Sequence, residues 1–165
     1  MVRPFRSETE RYGDYSKSGE YIYDRPFLWG SKRTGPDLHR EGRGNKNSKS
    51  DAWHYNHMLV PQTMSPGSIM PAYPWLIEDE LNTSRTADKI KVLKMLGTPY
   101  PDGYETIAVD DLKKQAAQIA KNMRADGIED DKLETREIVA LVAYLQRLGT
   151  DILPPKAATA APSGN

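Results

Sequence analysis

The sequence predicts a mainly α-helical domain, and two observations lead to this fold class. Three segments, at residues 86–96, 110–126 and 136–148, carry apolar residues at the three- and four-residue spacing of an amphipathic helix. No stretch of useful length alternates apolar and polar residues as a half-buried strand does, and no internal repeat is visible. The 165 residues are enough for one domain with a modest core.

The first helix is predicted upstream of these three. Ser50 is a suitable N-cap, and Pro61 forbids continuation beyond about Leu59. This short helix is expected to expose His54 and His57. Four prolines and a glycine follow within residues 61–74, which predicts a stiff, extended loop without a regular element.

The second helix is expected to place Ile90, Leu93 and Leu96 on one face and to end at Gly97. The third is expected to begin with Asp110 as its N-cap and to carry its own apolar stripe. The stripe consists of Leu112, Ala116, Ile119 and Met123.

The fourth helix is the most strongly patterned, and it is expected to begin after Thr135 and to close at Gly149. Residues 151–165 are small, polar and interrupted by proline, so they are predicted to form a disordered tail after a domain at 1–150. The stripe of the fourth helix consists of Ile138, Leu141, Val142, Leu145 and Leu148.

Composition excludes several functions. Lys plus Arg and Asp plus Glu are 23 each, so no basic excess favours a nucleic-acid partner. The chain has no cysteine, which excludes a disulfide, a thiolate nucleophile and covalent haem attachment by its own residues. The longest apolar run, residues 138–145, is far shorter than the roughly 20 residues of a membrane span, and the charged N-terminus is unlike a signal peptide. No signal or membrane anchor is predicted in the chain as written.

Two polar groupings were considered as sites. His54 and His57 could offer two nitrogen ligands to zinc with Asp51 as a carboxylate, but no third ligand is evident and an exposed polar helix face explains these residues better. Acidic runs at residues 78–80 and 129–131 are more simply solvated loops or helix N-terminal turns than acid–base pairs.

Met70 is the remaining candidate. A methionine thioether is a soft, neutral ligand, and as an axial ligand of haem iron it raises the reduction potential. Such a ligand needs a rigid loop, and here prolines flank Met70 while Tyr73 and Trp75 supply aromatic cover. The alternative is that Met70 fills a gap in the core, as methionines commonly do.

Several stretches together resemble one protein family. Residues 68–76 read Ser-Ile-Met-Pro-Ala-Tyr-Pro-Trp-Leu, and residues 30–36 read Gly-Ser-Lys-Arg-Thr-Gly-Pro. With residues 3–13 and 19–38, they resemble the mono-haem cytochrome c subunit, the FixO-like subunit II, of cbb3-type cytochrome c oxidases. The last predicted helix, residues 137–149, is similar to the C-terminal helix of class I cytochromes c.

The resemblance implies a class I cytochrome c-like domain with a helical insertion, in which Met70 is the distal axial ligand of the haem iron. The Gly35-Pro36 loop would pack over the proximal side of the haem, and Arg33 could neutralise a propionate. The aromatic wall of this pocket would consist of Trp29, Tyr73 and Trp75.

The function implied is electron transfer through haem c, by a component that is not an enzyme on its own. Its partners would be the catalytic haem–copper subunit and other cytochrome c subunits, at the periplasmic face of the bacterial inner membrane. The family's C-x-x-C-H motif and preceding membrane helix are missing here, so the sequence looks truncated at its N-terminus, and no histidine is assigned as the proximal ligand. The alternative is a haem-free interaction or assembly module that keeps the cytochrome c-like scaffold.

Overall fold

The computed structural model describes residues 18–24, 38, 41–42 and 48–149. Within these ranges the protein is helical, with no strand and one isolated antiparallel bridge between Glu80 and Arg136. The mainly α fold class is therefore confirmed. The α-helices are α1 (Asp51–Leu59), α2 (Pro61–Met64), α3 (Trp75–Glu78), α4 (Thr86–Met95), α5 (Tyr104–Ala125) and α6 (Glu137–Arg147), and the 3₁₀ turns are Ser18–Tyr21 and Leu133–Thr135.

The hydrophobic core lies where α1, α5 and α6 meet. Tyr55 of α1 packs between the two longer helices, and Leu133 of the second 3₁₀ turn closes one side. Burying a side chain as large as Met123 or Ile138 stabilises the fold by roughly 1.5 to 3 kcal/mol relative to leaving it in water. The other members of this core cluster are Ala116, Ile119, Ala120, Val139 and Val142.

The apolar stripe predicted for the last helix is confirmed in its main members. Ile138, Val142, Leu145 and Leu148 are buried, and Leu141 packs partly buried against the core. The start differs from the prediction. Thr135 is not the N-cap, because it belongs to the 3₁₀ turn and its hydroxyl donates to the Lys132 carbonyl. Arg136 takes the N-cap position in an extended conformation.

The start of α1 agrees with the prediction, since the Ser50 hydroxyl accepts the Trp53 amide at 3.1 Å. The expectation that residues 61–74 lack regular structure is wrong, because α2 forms there. Pro61 stands at the first position of α2, where its missing N–H leaves no helical hydrogen bond unmade. The same proline that ends α1 therefore starts α2.

The predicted start of the third helix is also wrong. α5 begins at Tyr104, six residues before the expected cap Asp110, which lies inside the helix. Gly103 precedes the helix with a φ of 76°, a conformation that glycine adopts without strain. The Tyr104 ring stacks on Tyr100 and its hydroxyl donates to Asp111, so contacts across the turn support the earlier start.

α4 packs against α5 and forms a helical hairpin with it. Lys94, in the last turn of α4, binds Asp102 at 3.1 Å and Glu105 at 3.8 Å near the start of α5. Of the predicted face, Ile90 is buried and Leu93 is half-buried, but Leu96 is 47% exposed. The helix ends at Met95, and Leu96 is its C-cap and faces solvent.

Two predictions fall outside the described ranges. The disordered tail at residues 151–165 and the full extent of the domain at 1–150 remain predictions.

Candidate functional site

The segment that carries the candidate ligand Met70 runs from Ser65 to Leu76 and is called the Met70 segment below. It connects α2 to α3. Toward its C-terminal end, the Tyr73 amide donates to the carbonyl of Met58, in the last turn of α1, at 2.8 Å. This hydrogen bond fixes the segment against α1, three residues after Met70.

The C-terminal end of the Met70 segment is held by α3. Leu76 and Ile77 pack against the core cluster. The Arg136 guanidinium donates to the Glu78 carbonyl at 2.6 Å and to the Asp130 carboxylate at 3.0 Å. Main-chain bonds from Leu81 to Thr135 and from Glu137 to Asp79 join α3 to the start of α6. α3 is thus attached both to the core and to α6.

Asp130 was expected to be solvated, and this is wrong, because its side chain is only 14% exposed and is bonded to Arg136. Burial opposes ionisation of Asp130. The Lys132 amide and the Arg136 guanidinium outweigh burial and hold the pKa of this carboxyl below its usual range. Glu134 is likewise ion-paired, with Arg124. Both carboxylates are thus held in ion pairs with arginines, and their role is structural.

Met70 itself is half-buried. Its amide donates to the Ser68 hydroxyl at 3.2 Å, and the Ser68 amide donates to the Ser65 carbonyl, so the chain turns tightly just before the thioether. Gly67 makes this turn possible with a φ of 80°. Its neighbour Ile69 is 88% exposed. Met70 thus lies on a hydrogen-bonded turn near the surface, and its role as a haem ligand remains a prediction.

The structure brings two of the predicted pocket aromatics together. Tyr73 and Trp75 meet edge to face with ring centroids 5.2 Å apart, a favourable arrangement for two aromatic rings. Tyr73 is half-buried and Trp75 is 49% exposed. A half-exposed indole five residues after Met70 leaves apolar surface available to a planar ligand.

The other predicted pocket residues, Trp29, Arg33, Gly35 and Pro36, lie outside the described ranges. Their roles remain predictions.

The two histidines of α1 do not form the zinc site that was considered. His54 was expected to be exposed, but it is 3% exposed, because α1 turns this side toward the protein interior. Burial lowers the pKa of His54 to about 4. His57 is half-buried and stacks on Trp53 at 4.4 Å. Among the residues that the structure describes, no group of three or more potential ligands comes together.

Asp51 attaches α1 to the two longer helices. This buried carboxylate accepts the Asn122 amide of α5 at 2.8 Å and the Gln146 amide of α6 at 3.0 Å. It therefore joins three helices rather than binding a metal. His54 is one turn further along the same helix, and its Nε2 is buried without a hydrogen-bond partner among the described residues.

A groove that the sequence analysis missed lies between the α4–α5 hairpin and α6. Its volume is about 230 Å³, and none of its lining residues belongs to the Met70 segment. Alanines from two helices form part of its floor, where larger side chains would fill it: Ala108, Ala116, Ala140 and Ala143. Recognising it from sequence would require knowing that these alanines face one another across α5 and α6.

A helical domain that presents a methionine from a fixed, proline-rich segment and closes its core with a C-terminal amphipathic helix has the features of a cytochrome c-like domain. The family model described as "Cytochrome C oxidase, mono-heme subunit/FixO" matches residues 1–152. The chain therefore belongs to this family, the mono-haem cytochrome c subunit of cbb3-type oxidases, which takes part in electron transfer within the oxidase complex. The comparison with curated proteins gives no match. Within the described ranges, no helix has the length and apolar character that crossing a membrane requires.

The residues present fit part of what haem c requires. Met70 carries a thioether on a hydrogen-bonded turn, and the Tyr73–Trp75 pair lies three to five residues further along the same segment. The chain has no cysteine, so none of its residues can form a thioether bond to the porphyrin. A thioether ligand for haem iron is therefore available, its role as a ligand remains a prediction, and the cysteines for covalent attachment are absent from the sequence.

Proposed function

We propose that this protein passes electrons through a c-type haem toward the oxygen-reducing subunit of a cbb3-type cytochrome c oxidase, with Met70 as the distal axial ligand. The observation that carries the ligand assignment is the attachment of the Met70 segment on the C-terminal side of Met70, by the Tyr73–Met58 hydrogen bond and by α3. When bound, haem supplies a one-electron redox centre at a potential that its axial ligands set.

The roles of the chain's own residues follow from their positions. Met70 would donate a sulfur lone pair, and its fixed loop keeps the entropic cost of ordering that donor small. Tyr73 and Trp75 would cover the porphyrin edge and exclude water, which favours the neutral form of the centre. Arg136 donates to the Glu78 carbonyl and to Asp130, and it would act as a positioning residue through α3.

The test of the ligand assignment is Met70→Leu in the haem-containing protein purified from its native membranes. Leucine preserves volume and apolarity but offers iron no lone pair. We expect loss of the sulfur-to-iron charge-transfer band at the red end of the oxidised spectrum, together with a lower reduction potential. Met64→Leu is the matched control, because Met64 is also half-buried and close in sequence. A Met70→Leu protein that keeps the band and the potential would show that Met70 is a packing residue.

The proposal also specifies which subunit this protein contacts and on which side of the membrane it lies. We expect a direct contact with the catalytic haem–copper subunit, and a position on the periplasmic face of the inner membrane. Membership of a membrane-complex family supports both. Cleavage by a protease added to spheroplasts, but not to inside-out vesicles, is the expected result. The opposite pattern contradicts the periplasmic location.

A haem-free interaction or assembly module is the second candidate, and the absence of cysteine is the observation that favours it. The two candidates differ in absorbance. Electron transfer requires a Soret band in protein isolated from its native membranes, whereas the module requires none. In either case, haem in this 165-residue chain should be extractable with acid acetone, because no thioether bond can hold it.

A further inference from the structure

α4 carries apolar residues on the side that faces away from the protein. Its single buried residue, Ile90, faces the groove beside α5 and α6. On the opposite side, Val92 is 48% exposed, Met95 79% and Leu96 47%. A surface helix of a globular protein ordinarily places its polar residues there. The outward side of α4 therefore carries a stripe of three large apolar side chains that are each about half exposed or more.

Lysines border the stripe on both sides. With 100° per residue, Lys89 and Lys91 project on either side of Ile90, so Val92, Met95 and Leu96 fall between them on the far side of the helix. Both lysines are exposed. We call these five residues the α4 outer face. Asp88 also faces outward, one turn before Val92, at the N-terminal end of this face.

The α4 outer face is held in place by the turn that follows it. Lys94 points away from the stripe and binds Asp102 and the Pro101 carbonyl. The Thr98 amide donates to the Leu93 carbonyl at 2.9 Å, which closes the end of the helix. The face is therefore presented by an ordered hairpin, so that binding would not have to order it.

We propose that the α4 outer face binds the surface of a membrane that contains anionic phospholipid. Exposed apolar side chains flanked by lysines are the pattern of a helix lying in the interface, where the apolar groups enter the acyl boundary and the lysine stems reach back to the phosphates. At ten residues α4 is far too short to span the bilayer, so it would lie on its surface.

A protein partner fits the face less well. Cores of protein interfaces are enriched in aromatic residues and arginine and depleted in lysine, whereas this face has two lysines and no aromatic residue. Membership of a membrane oxidase family places lipid headgroups near this domain, and the proposal rests on that membership. It does not depend on Met70 or on haem, so its failure would leave the electron-transfer proposal intact.

The absence of cysteine allows a direct experiment on the full 165-residue chain. Val92→Cys introduces the sole thiol, which takes an environment-sensitive nitrobenzoxadiazole label. Val60→Cys is the matched control, because Val60 is also a valine, is 46% exposed and belongs to the end of α1 rather than to α4. With vesicles of equal parts phosphatidylglycerol and phosphatidylcholine, we expect the label at position 92 to shift to the blue and the label at position 60 to stay unchanged. Pure phosphatidylcholine should give at least a ten-fold weaker response.

Charge and apolar contributions are then separated by substitution. Each lysine near an anionic surface contributes about five-fold in partition, so K89Q together with K91Q should lower vesicle binding by roughly 25-fold and remove most of its salt dependence. K113Q together with K114Q removes two exposed lysines of α5 and should change binding less than two-fold. M95Q should weaken binding about ten-fold at constant charge.

Several outcomes would overturn the proposal. Failure of the unmodified chain to co-sediment with phosphatidylglycerol vesicles is one, and an equal response of the two labels, as an unfolded chain would give, is another. Equal losses for the α4 and α5 lysine pairs would show a general charge effect. Sedimentation velocity without lipid tests for self-association. If the chain self-associates and M95Q abolishes this, the face binds a second copy of the chain instead. A shift of the Val92→Cys label with lipid-free oxidase subunits, and none with vesicles, would assign it to a protein partner.

Discussion

The Met70 segment and α4 are both surface elements, and they differ in how the rest of the protein holds them. The Met70 segment has little regular structure, yet a main-chain hydrogen bond to α1, the Arg136 side chain and the packing of Leu76 and Ile77 attach it to the core. α4 is a regular helix, yet it buries only Ile90 and is attached mainly through α5. Regular secondary structure and firm attachment are thus separate properties in this protein.

The difference matches what each region is proposed to do. An axial ligand must stay within a fraction of an ångström of one position, which requires attachment from several elements. A surface that meets a fluid bilayer needs only an ordered apolar face. If the contrast in attachment is real, the same kind of perturbation should affect the two regions unequally.

Acidification should destabilise the region around α1 selectively. The pKa of His54 is about 4 in the folded protein against 6.5 for the free side chain, so the unfolded chain binds the proton more tightly. The buried, neutral His54 therefore costs no stability above pH 6.5, where the imidazole is neutral in both the folded and the unfolded chain. As the pH falls toward 4, protonation of the unfolded chain lowers the free energy of unfolding by up to about 3 kcal/mol. Urea denaturation between pH 7 and pH 4 measures it.

His54→Gln is the control for that prediction. This variant should be less stable at pH 7. Its stability should depend on pH only weakly, through His57, because burial lowers the pKa of that side chain too. Amide exchange should show α1 opening before α4 as the pH falls. Unchanged stability of the native protein across this window would contradict a buried, neutral His54.

The same substitution in the two regions should give unequal costs. Val142→Ala removes two methyl groups from a fully buried site in α6 and should lower the free energy of unfolding by about 2 to 3 kcal/mol, through lost transfer energy and a cavity. Val92→Ala, at a site 48% exposed in α4, should change it by less than about 0.5 kcal/mol. Similar costs at both sites, measured by denaturant titration, would remove the contrast.

Removing a cation should also affect the regions differently. Arg136→Met breaks bonds to the buried Asp130 carboxylate and to the Glu78 carbonyl, and should cost about 2 kcal/mol. Lys94→Met breaks a pair with the fully exposed Asp102 and a longer one, at 3.8 Å, with Glu105, and should cost about 1 kcal/mol or less. In the haem-containing protein, Arg136→Met should also broaden the Met70 charge-transfer band while Lys94→Met leaves it unchanged. A silent Arg136→Met would show that α3 is held by the core alone.

Two glycines offer the smallest and most local test. Gly67 and Gly97 have φ of 80° and 90°, and a methyl group at either would meet nothing within 4 Å. Alanine at each should therefore cost only the strain of that backbone conformation, about 1 kcal/mol. Gly67→Ala should also disturb the Met70 spectrum, because the strain falls three residues from the ligand, and Gly97→Ala should not. An equal spectral effect would mean that the strain spreads through the domain.

How much of this protein could be predicted from the sequence depended on the range of the interactions involved. The Ser50 cap, the stripe of α6 and the glycine at its end are local patterns, and the structure confirms them. Met70 with Tyr73 and Trp75 could be singled out because prolines stiffen the chain on both sides. The Arg136 attachment could not, since its partner Glu78 is 58 positions away in sequence.

The predictions that the structure contradicts failed because they depended on interactions between distant parts of the chain. Asp110 has the chemistry of a cap, but the Tyr100–Tyr104 stack and the Lys94 pairs start α5 earlier. His54 was predicted to lie with His57 and Asp51 on an exposed polar face, but Asp51 turns this side of α1 inward through bonds to Asn122 and Gln146. Periodicity and capping report how a segment can fold, and they carry no information about which side of it another segment will cover.

The sequence by itself determined the helical class, the most regular helix and the methionine with its stiff flanks, since these follow from spacing and from the conformational limits of proline and glycine. The tertiary structure alone decided which histidine is buried, what holds the Met70 segment and which way α4 turns its apolar residues. The physical reason is that burial, hydrogen-bond partners and pKa values depend on groups brought together from distant parts of the chain, where no local pattern records them.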